Sequence, residues 1–295
     1  MLDAVIWISL TALAIALPLY GPRWQLRRVL ARPLPAEAEA VLRRNIPPYG
    51  RMAPALQAQL RQLVVQFLHQ KKFIGCEGLV VDDEMAVTIA GQACLLLLNR
   101  PSKVYPSLHT IMVYPSAFVA QRHSVGPGGV VTPDRQSMLG ESWDDGRVVL
   151  SWDDVKNGAR DWTDGHNIVL HEFAHQLDSE SGRANGAPYL GSVSNYRQWS
   201  EVLERDYQHL RFSAMYRQHS VMDHYGATNP AEFFAVATET FFEKPWQMAE
   251  HHGELFGEFL KYYRVDPRDW QAAPLPPPPP EPEAAPRLYS FAAGW

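Results

Sequence analysis

His171, Glu172 and His175, in the run "HEFAHQLD" (171–178), are the residues whose types and spacing best suit chemistry. On a helix, positions i and i+4 leave the same face one turn apart, so two imidazoles there can share one zinc ion. A glutamate directly after the first histidine can reach a water activated by that ion and take its proton. A hydrogen-bonded histidine pair would need no metal, but an inward-facing His-Glu-His surface is electrostatically awkward without one. A catalytic zinc takes three protein ligands and keeps a fourth position open. No histidine stands six residues after His175, and Cys76 and Cys94 are too few for a thiolate site. A carboxylate from a second helix has to complete the set. The stretch "NPAEFFAVATETFFE" (229–243) offers Glu232 and, two turns on, Glu239. Asn-Pro-Ala-Glu is also a capping-box arrangement, in which Glu232 would fold back on the N–H of Asn229. From the residues alone, ligand and cap stay equally open for Glu232, and Glu239 is a rival ligand. Asp178 reads as a partner at the helix end or a support for a ligand.

These side chains need elements to carry them. Ile168, Val169, Phe173 and Leu177 give the histidine segment its apolar faces, with Asp164 as the expected cap and Gly182 as the stop. Pro230 fits the first turn of the glutamate helix, predicted over 230–243, and further helices are predicted over 195–217 and 248–263. Upstream, Leu56, Leu60, Leu63, Val64, Phe67 and Leu68 form the stripe of an amphipathic helix. "LVVDDEMAVTIAGQACLLLL" reads as a strand, a turn and a buried helix, while "HTIMVYPSAF" and "RVVLSW" are short β-type runs. "RVVLSW", Arg147 to Trp152, is either an edge strand for an extended peptide or a core strand with no substrate role. The fold class expected is α+β: a mostly helical domain with a small mixed sheet.

The chain has 295 residues, 46% of them hydrophobic and 20% charged, which describes a globular protein. A net charge of −5 without a basic run disfavours direct contact with nucleic acid. Two cysteines build no disulfide framework, and Cys94, within "ACLLLL", reads as a buried thiol. Residues 4–20 carry no charge and precede Arg23, Arg27, Arg28 and Arg32. That pattern predicts an N-terminal membrane anchor over 1–22 with the remainder on the cytoplasmic side of the inner membrane, or a cytoplasmic protein if the segment does not span. Residues 23–53 read as a proline-containing linker with one short helix, 54–270 as the main domain, and 271–295 as a disordered proline-rich tail.

The combination of "HEFAHQLD", the preceding "VVLSWDDV" and "YGATNPAEFFAVATETFF" resembles the zinc peptidases of the Mlc titration factor A family over roughly residues 45–270. The arrangement is also similar to that of anthrax lethal factor. The resemblance implies a zincin-like metallopeptidase of gluzincin type. It implies one Zn2+ held by His171, His175 and Glu232, with Glu172 as general base. It implies a role for Tyr225, seven residues before Glu232, in binding the oxyanion, and leaves Glu239 as a supporting residue. It further implies an aminopeptidase acting on a peptide or protein substrate, or a regulatory protein that binds a transcriptional repressor.

Overall fold

Several prolines in this chain start helices. Pro47, Pro54, Pro230 and Pro245 each occupy the first turn of a helix, where the missing N–H costs nothing. The computed structural model describes residues 24–274 apart from 102, 126–130, 139, 144–145 and 183, together with 7, 10 and 21. In chain order its elements are α1 (Ala36–Asn45), α2 (Pro47–Arg51), α3 (Pro54–Gln70), β1 (Lys72–Gly75), α4 (Asp83–Leu95), β2 (Thr110–Tyr114), β3 (Phe118–Val125), β4 (Val131–Met138), β5 (Gly140–Trp143) and β6 (Arg147–Ser151). There follow α5 (Trp152–Arg160), α6 (Ile168–Asp178), α7 (Val193–Met215), α8 (Pro230–Glu243), α9 (Pro245–His251) and α10 (Gly253–Tyr263). The expected class holds: a largely helical α+β domain around one small mixed sheet.

That sheet has the order β1-β2-β6-β5. Its first three strands are parallel, with Ile111 opposite Val148, and β5 closes it antiparallel, with Glu141 opposite Val149. β3 and β4 form a separate antiparallel hairpin. Val148, Val149 and Leu150 are all buried, the unbroken apolar run of a strand covered on both faces. Of the two readings of "RVVLSW", the structure takes the core strand: β6 is paired on both sides, and helix α5 begins at Trp152.

α6 packs against α4, α5 and α8 and against β5 and β6. It is buried almost all round, with Phe173 set against Tyr105 at 4.8 Å and Phe67 at 5.7 Å. Beyond α8 an aromatic cluster of Phe241, Phe259 and Tyr263 holds α10, with ring centroids 5.5–5.8 Å apart. Within 23–53, expected as a proline-containing linker with one short helix, Leu42, Ile46 and Tyr49 join the same core, each 0% exposed. Cys94 is a buried free thiol.

The N-terminal anchor is a correction. Among the described residues no helix is long and apolar enough to cross a membrane, and the expected segment, except for 7, 10 and 21, lies outside the described residues. The placement beside a membrane that depended on it falls with it. The proline-rich tail lies outside the described residues from 275 onward.

One glycine ties together the elements that carry the candidate site. Gly186 sits at φ +80°, its N–H donates to Asp178 at the end of α6 (2.7 Å), and its carbonyl accepts from the Trp199 indole of α7 (2.9 Å). A Cβ there would meet the carbonyl oxygen of Pro230, at the start of α8, at 2.5 Å. Asp178 is thus a helix-end partner, its carboxyl raised by burial against the opposing bond from Gly186. Gly186→Ala therefore combines left-handed backbone strain with a backbone clash, and is expected to destabilise by about 1–3 kcal/mol. Thermal unfolding should show a drop of at least roughly 2 °C for a domain this size. An unchanged Tm would mean that this junction yields freely.

Candidate metal centre

The start of α6 is set by Asn167, whose side-chain oxygen accepts from the N–H of Leu170 at 3.0 Å. Asp164, the expected cap, instead accepts from His166 N–H at 2.9 Å in the turn before the helix. Both residue types can cap, and the helix begins where the side chain stands three residues before a free N–H. α6 ends at Asp178, a 3-10 turn continues to Ser181, and Gly182 follows at φ +133°. Within α6, His171 and His175 stand one turn apart with ring centroids 4.9 Å apart, and Glu172 lies beside them, 3% exposed.

α8 brings the carboxylates. Asn229 caps it through Glu232 N–H at 3.0 Å. The Glu232 carboxylate turns to the imidazoles: Oε2 lies 3.0 Å from His171 Nε2 and 3.3 Å from His175 Nε2. Glu239, two turns later on the same face, places Oε1 2.8 Å from His171 Nδ1, and its other oxygen accepts from the N–H of Asn167. Glu243, one further turn on, accepts from Asn167 Nδ2 at 3.0 Å and Gly165 N–H at 3.1 Å. Tyr225 stands on the short 3-10 turn His224–Ala227, 55% exposed, its ring centroid 6.0 Å from that of His171.

The electrostatics follow from this crowding. Burial works against a charged His171, but the charge of Glu239 and the bonds to Glu232 and Glu239 raise its proton affinity well above the usual imidazole range. Burial also opposes ionisation of Glu232, yet the bonds and charges of the two histidines hold its carboxyl far below the ordinary carboxylate range. Burial pushes Glu243 well up, opposed by the Asn167 bond and aided by the charge of Glu239. Asn167 and Glu243 are the participants that spacing alone did not single out. The available signal was the composition of α8: three acids on one face of an otherwise apolar helix have to be paired.

The donor set fits a zinc ion. Ligand atoms about 2.0–2.1 Å from a tetrahedral ion lie roughly 3.3 Å from one another, and Glu232 Oε2 stands 3.0 Å and 3.3 Å from the two Nε2 atoms. Among the described residues, His171, His175 and Glu232 are the one group of three such side chains with converging donor atoms.

The model of the glucose-regulated metallo-peptidase M90 family matches residues 22–264. The chain belongs to that family. An uncharacterized protein from Synechocystis sp. is 42% identical over 245 residues, 83% of this chain and 89% of its own length. A protein from Klebsiella pneumoniae named Mlc titration factor A is 32% identical over 225 residues, 75% of this chain and 84% of the relative. A protein of the same name from Yersinia pestis is 29% identical over 247 residues, 83% and 89% of the two chains. As an M90 member the protein is a metallopeptidase, a hydrolase of peptide bonds. Membership also implies a metal, for which the His/Glu cluster supplies the donors.

Proposed function

We propose that the protein is a zinc-dependent peptidase of aminopeptidase type in which His171, His175 and Glu232 hold the ion. The observation that carries this reading is the approach of one Glu232 oxygen to the Nε2 atoms of both histidines. Zinc, when bound, supplies a Lewis acid that activates water and polarises a carbonyl. The Glu172 carboxylate takes a proton from the attacking water and delivers it to the leaving amine. Glu239 accepts from His171 Nδ1 and so turns Nε2 toward Glu232. Asn167 links that carboxylate to the start of α6. An extended peptide substrate would pair with β5, the outer strand beside α6, now that β6 is interior. The aminopeptidase preference follows the family resemblance.

Profiling cleavage of a peptide library, with free and with blocked N-termini, tests the reading. Cleavage should remove N-terminal residues, cease with a chelator and return with zinc. Cleavage indifferent to the chelator would remove the metal from the mechanism, and cleavage of blocked peptides would remove the aminopeptidase assignment.

In this reading Tyr225 donates to the oxyanion that forms on the substrate carbonyl. Its exposure fits a group that meets substrate better than a packed core ring. Tyr225→Phe keeps the ring and removes one donor needed only in the transition state, so kcat should fall at least about tenfold with KM little changed. Full kcat in that variant would return Tyr225 to a purely structural role.

A second reading concerns partners. Relatives at about 30% identity are named for titrating Mlc, so binding of a transcriptional repressor is the alternative function. Capture of a purified repressor by an inactive Glu172→Gln variant separates binding from hydrolysis.

A further inference from the structure

A cleft of about 580 Å³ opens where the segment after α4, the turn after α6, the start of α7 and the end of α10 meet. No residue of the metal centre lines it. Its volume is that of an ordinary small-molecule site. Four of its side chains are cationic, Arg100, Lys103, Lys261 and Arg264, against two acids, Glu180 and Glu258. Lys261 already bonds Glu258 at 2.7 Å.

Arg100 is the informative residue. It is half-buried, and its guanidinium lies over the ring of Tyr262 at 4.2 Å. Among the described residues, Nη1 is buried without a well-placed acceptor, and Tyr262 Oη is buried without a well-placed hydrogen-bond partner. Glu180, which lines the same cleft, has an Oε1 that is a buried acceptor without a donor among the described residues. An arginine whose Nη1 is enclosed with no carboxylate among the described residues in contact is costly, and the cost is relieved when an anion completes the pair. Two donors and one acceptor left over in one cleft also specify what completes them. Burial raises the Glu180 carboxyl, with the charge of Arg100 opposing, as expected for acid and base that face each other without closing a salt bridge.

We propose that this cleft binds a small organic oxyanion, carboxylate or phosphate, that also carries a hydroxyl donor. The anion sits on Arg100 and Tyr262, where the planar guanidinium can hold two oxygens at once. The hydroxyl donates to Glu180. Lys103 and Arg264, both exposed at the rim, draw the ligand in. The proposal does not depend on the peptidase reading, because the two sites share no residue.

Calorimetric titration of the full-length protein at constant ionic strength tests it, with malate, glycerol 3-phosphate and sulfate as probes. Malate and glycerol 3-phosphate separate the carboxylate from the phosphate source, and sulfate presents an anion without a donor. Saturable one-to-one binding of malate or glycerol 3-phosphate is expected, with sulfate at least about tenfold weaker for lack of the bond to Glu180. Arg100→Met keeps an unbranched stem over Tyr262 and should weaken binding at least about tenfold. Arg264→Gln, at an exposed position, should weaken it measurably without any effect on folding. Absence of saturable binding by the unmodified protein would overturn the proposal, as would sulfate binding as tightly as both organic anions or equal affinities in all three proteins.

Discussion

Glu172→Gln is expected to bind one zinc per chain as tightly as the unmodified protein and to lose hydrolysis by about 10²–10⁴-fold, the usual contribution of a positioned general base. Glutamine has the shape of glutamate, so the packing of a side chain that is 3% exposed is preserved. The carboxylate's negative charge is lost, and with it the ability to accept a proton from water. None of the three proposed ligands is altered. The measurement pairs metal content with kcat on one short peptide. Retention of more than about a tenth of the activity would place the base elsewhere. Loss of zinc in the same variant would instead make Glu172 part of the metal's binding set.

Much of this centre is legible in the sequence because helices are periodic. Histidines at i and i+4 share a face in any α-helix, and Glu232 and Glu239, seven apart, share another. The bounds of α8 follow from Asn229 and Pro230, which leave little freedom at its start. What the sequence hides depends on contacts between distant segments. Asp164 and Asn167 are chemically similar caps, and the choice rests on Asn167 also meeting Gly158, Glu239 and Glu243. β5 is "GESW", with little β character, so nothing local announces that it flanks β6. The predicted helix over 248–263 is two helices, α9 and α10, broken at His252, whose ring is turned to Asp206 of α7 at 2.7 Å. The prolines near residue 50 suggest a linker when counted, yet at helix starts they leave Ile46 and Tyr49 free to pack.

The largest difference between two chemically similar residues is expected at Glu232 and Glu239. Both are acids of α8 that contact His171, but they meet opposite ring nitrogens. Glu232→Ala removes a donor to the ion itself, as do His171→Ala and His175→Ala, and a two-ligand remnant cannot hold zinc against dialysis. Stoichiometry should fall from one to near zero, and hydrolysis with it. Glu239→Gln leaves all three donors in place. A carboxylate has two acceptor oxygens, one for His171 Nδ1 and one for Asn167 N–H, whereas an amide has a single acceptor. One of those two bonds must be lost, and the neutral amide no longer increases the basicity of the imidazole. Replacing a partner of this kind typically weakens metal binding by about 10–100-fold without abolishing it. Competition with a chromophoric chelator resolves that range, and metal analysis after dialysis resolves the stoichiometry. If Glu239→Gln emptied the site while Glu232→Ala stayed loaded, the two carboxylates would exchange roles, and the contact of Glu232 with the histidines would be a hydrogen-bonded pairing and nothing more.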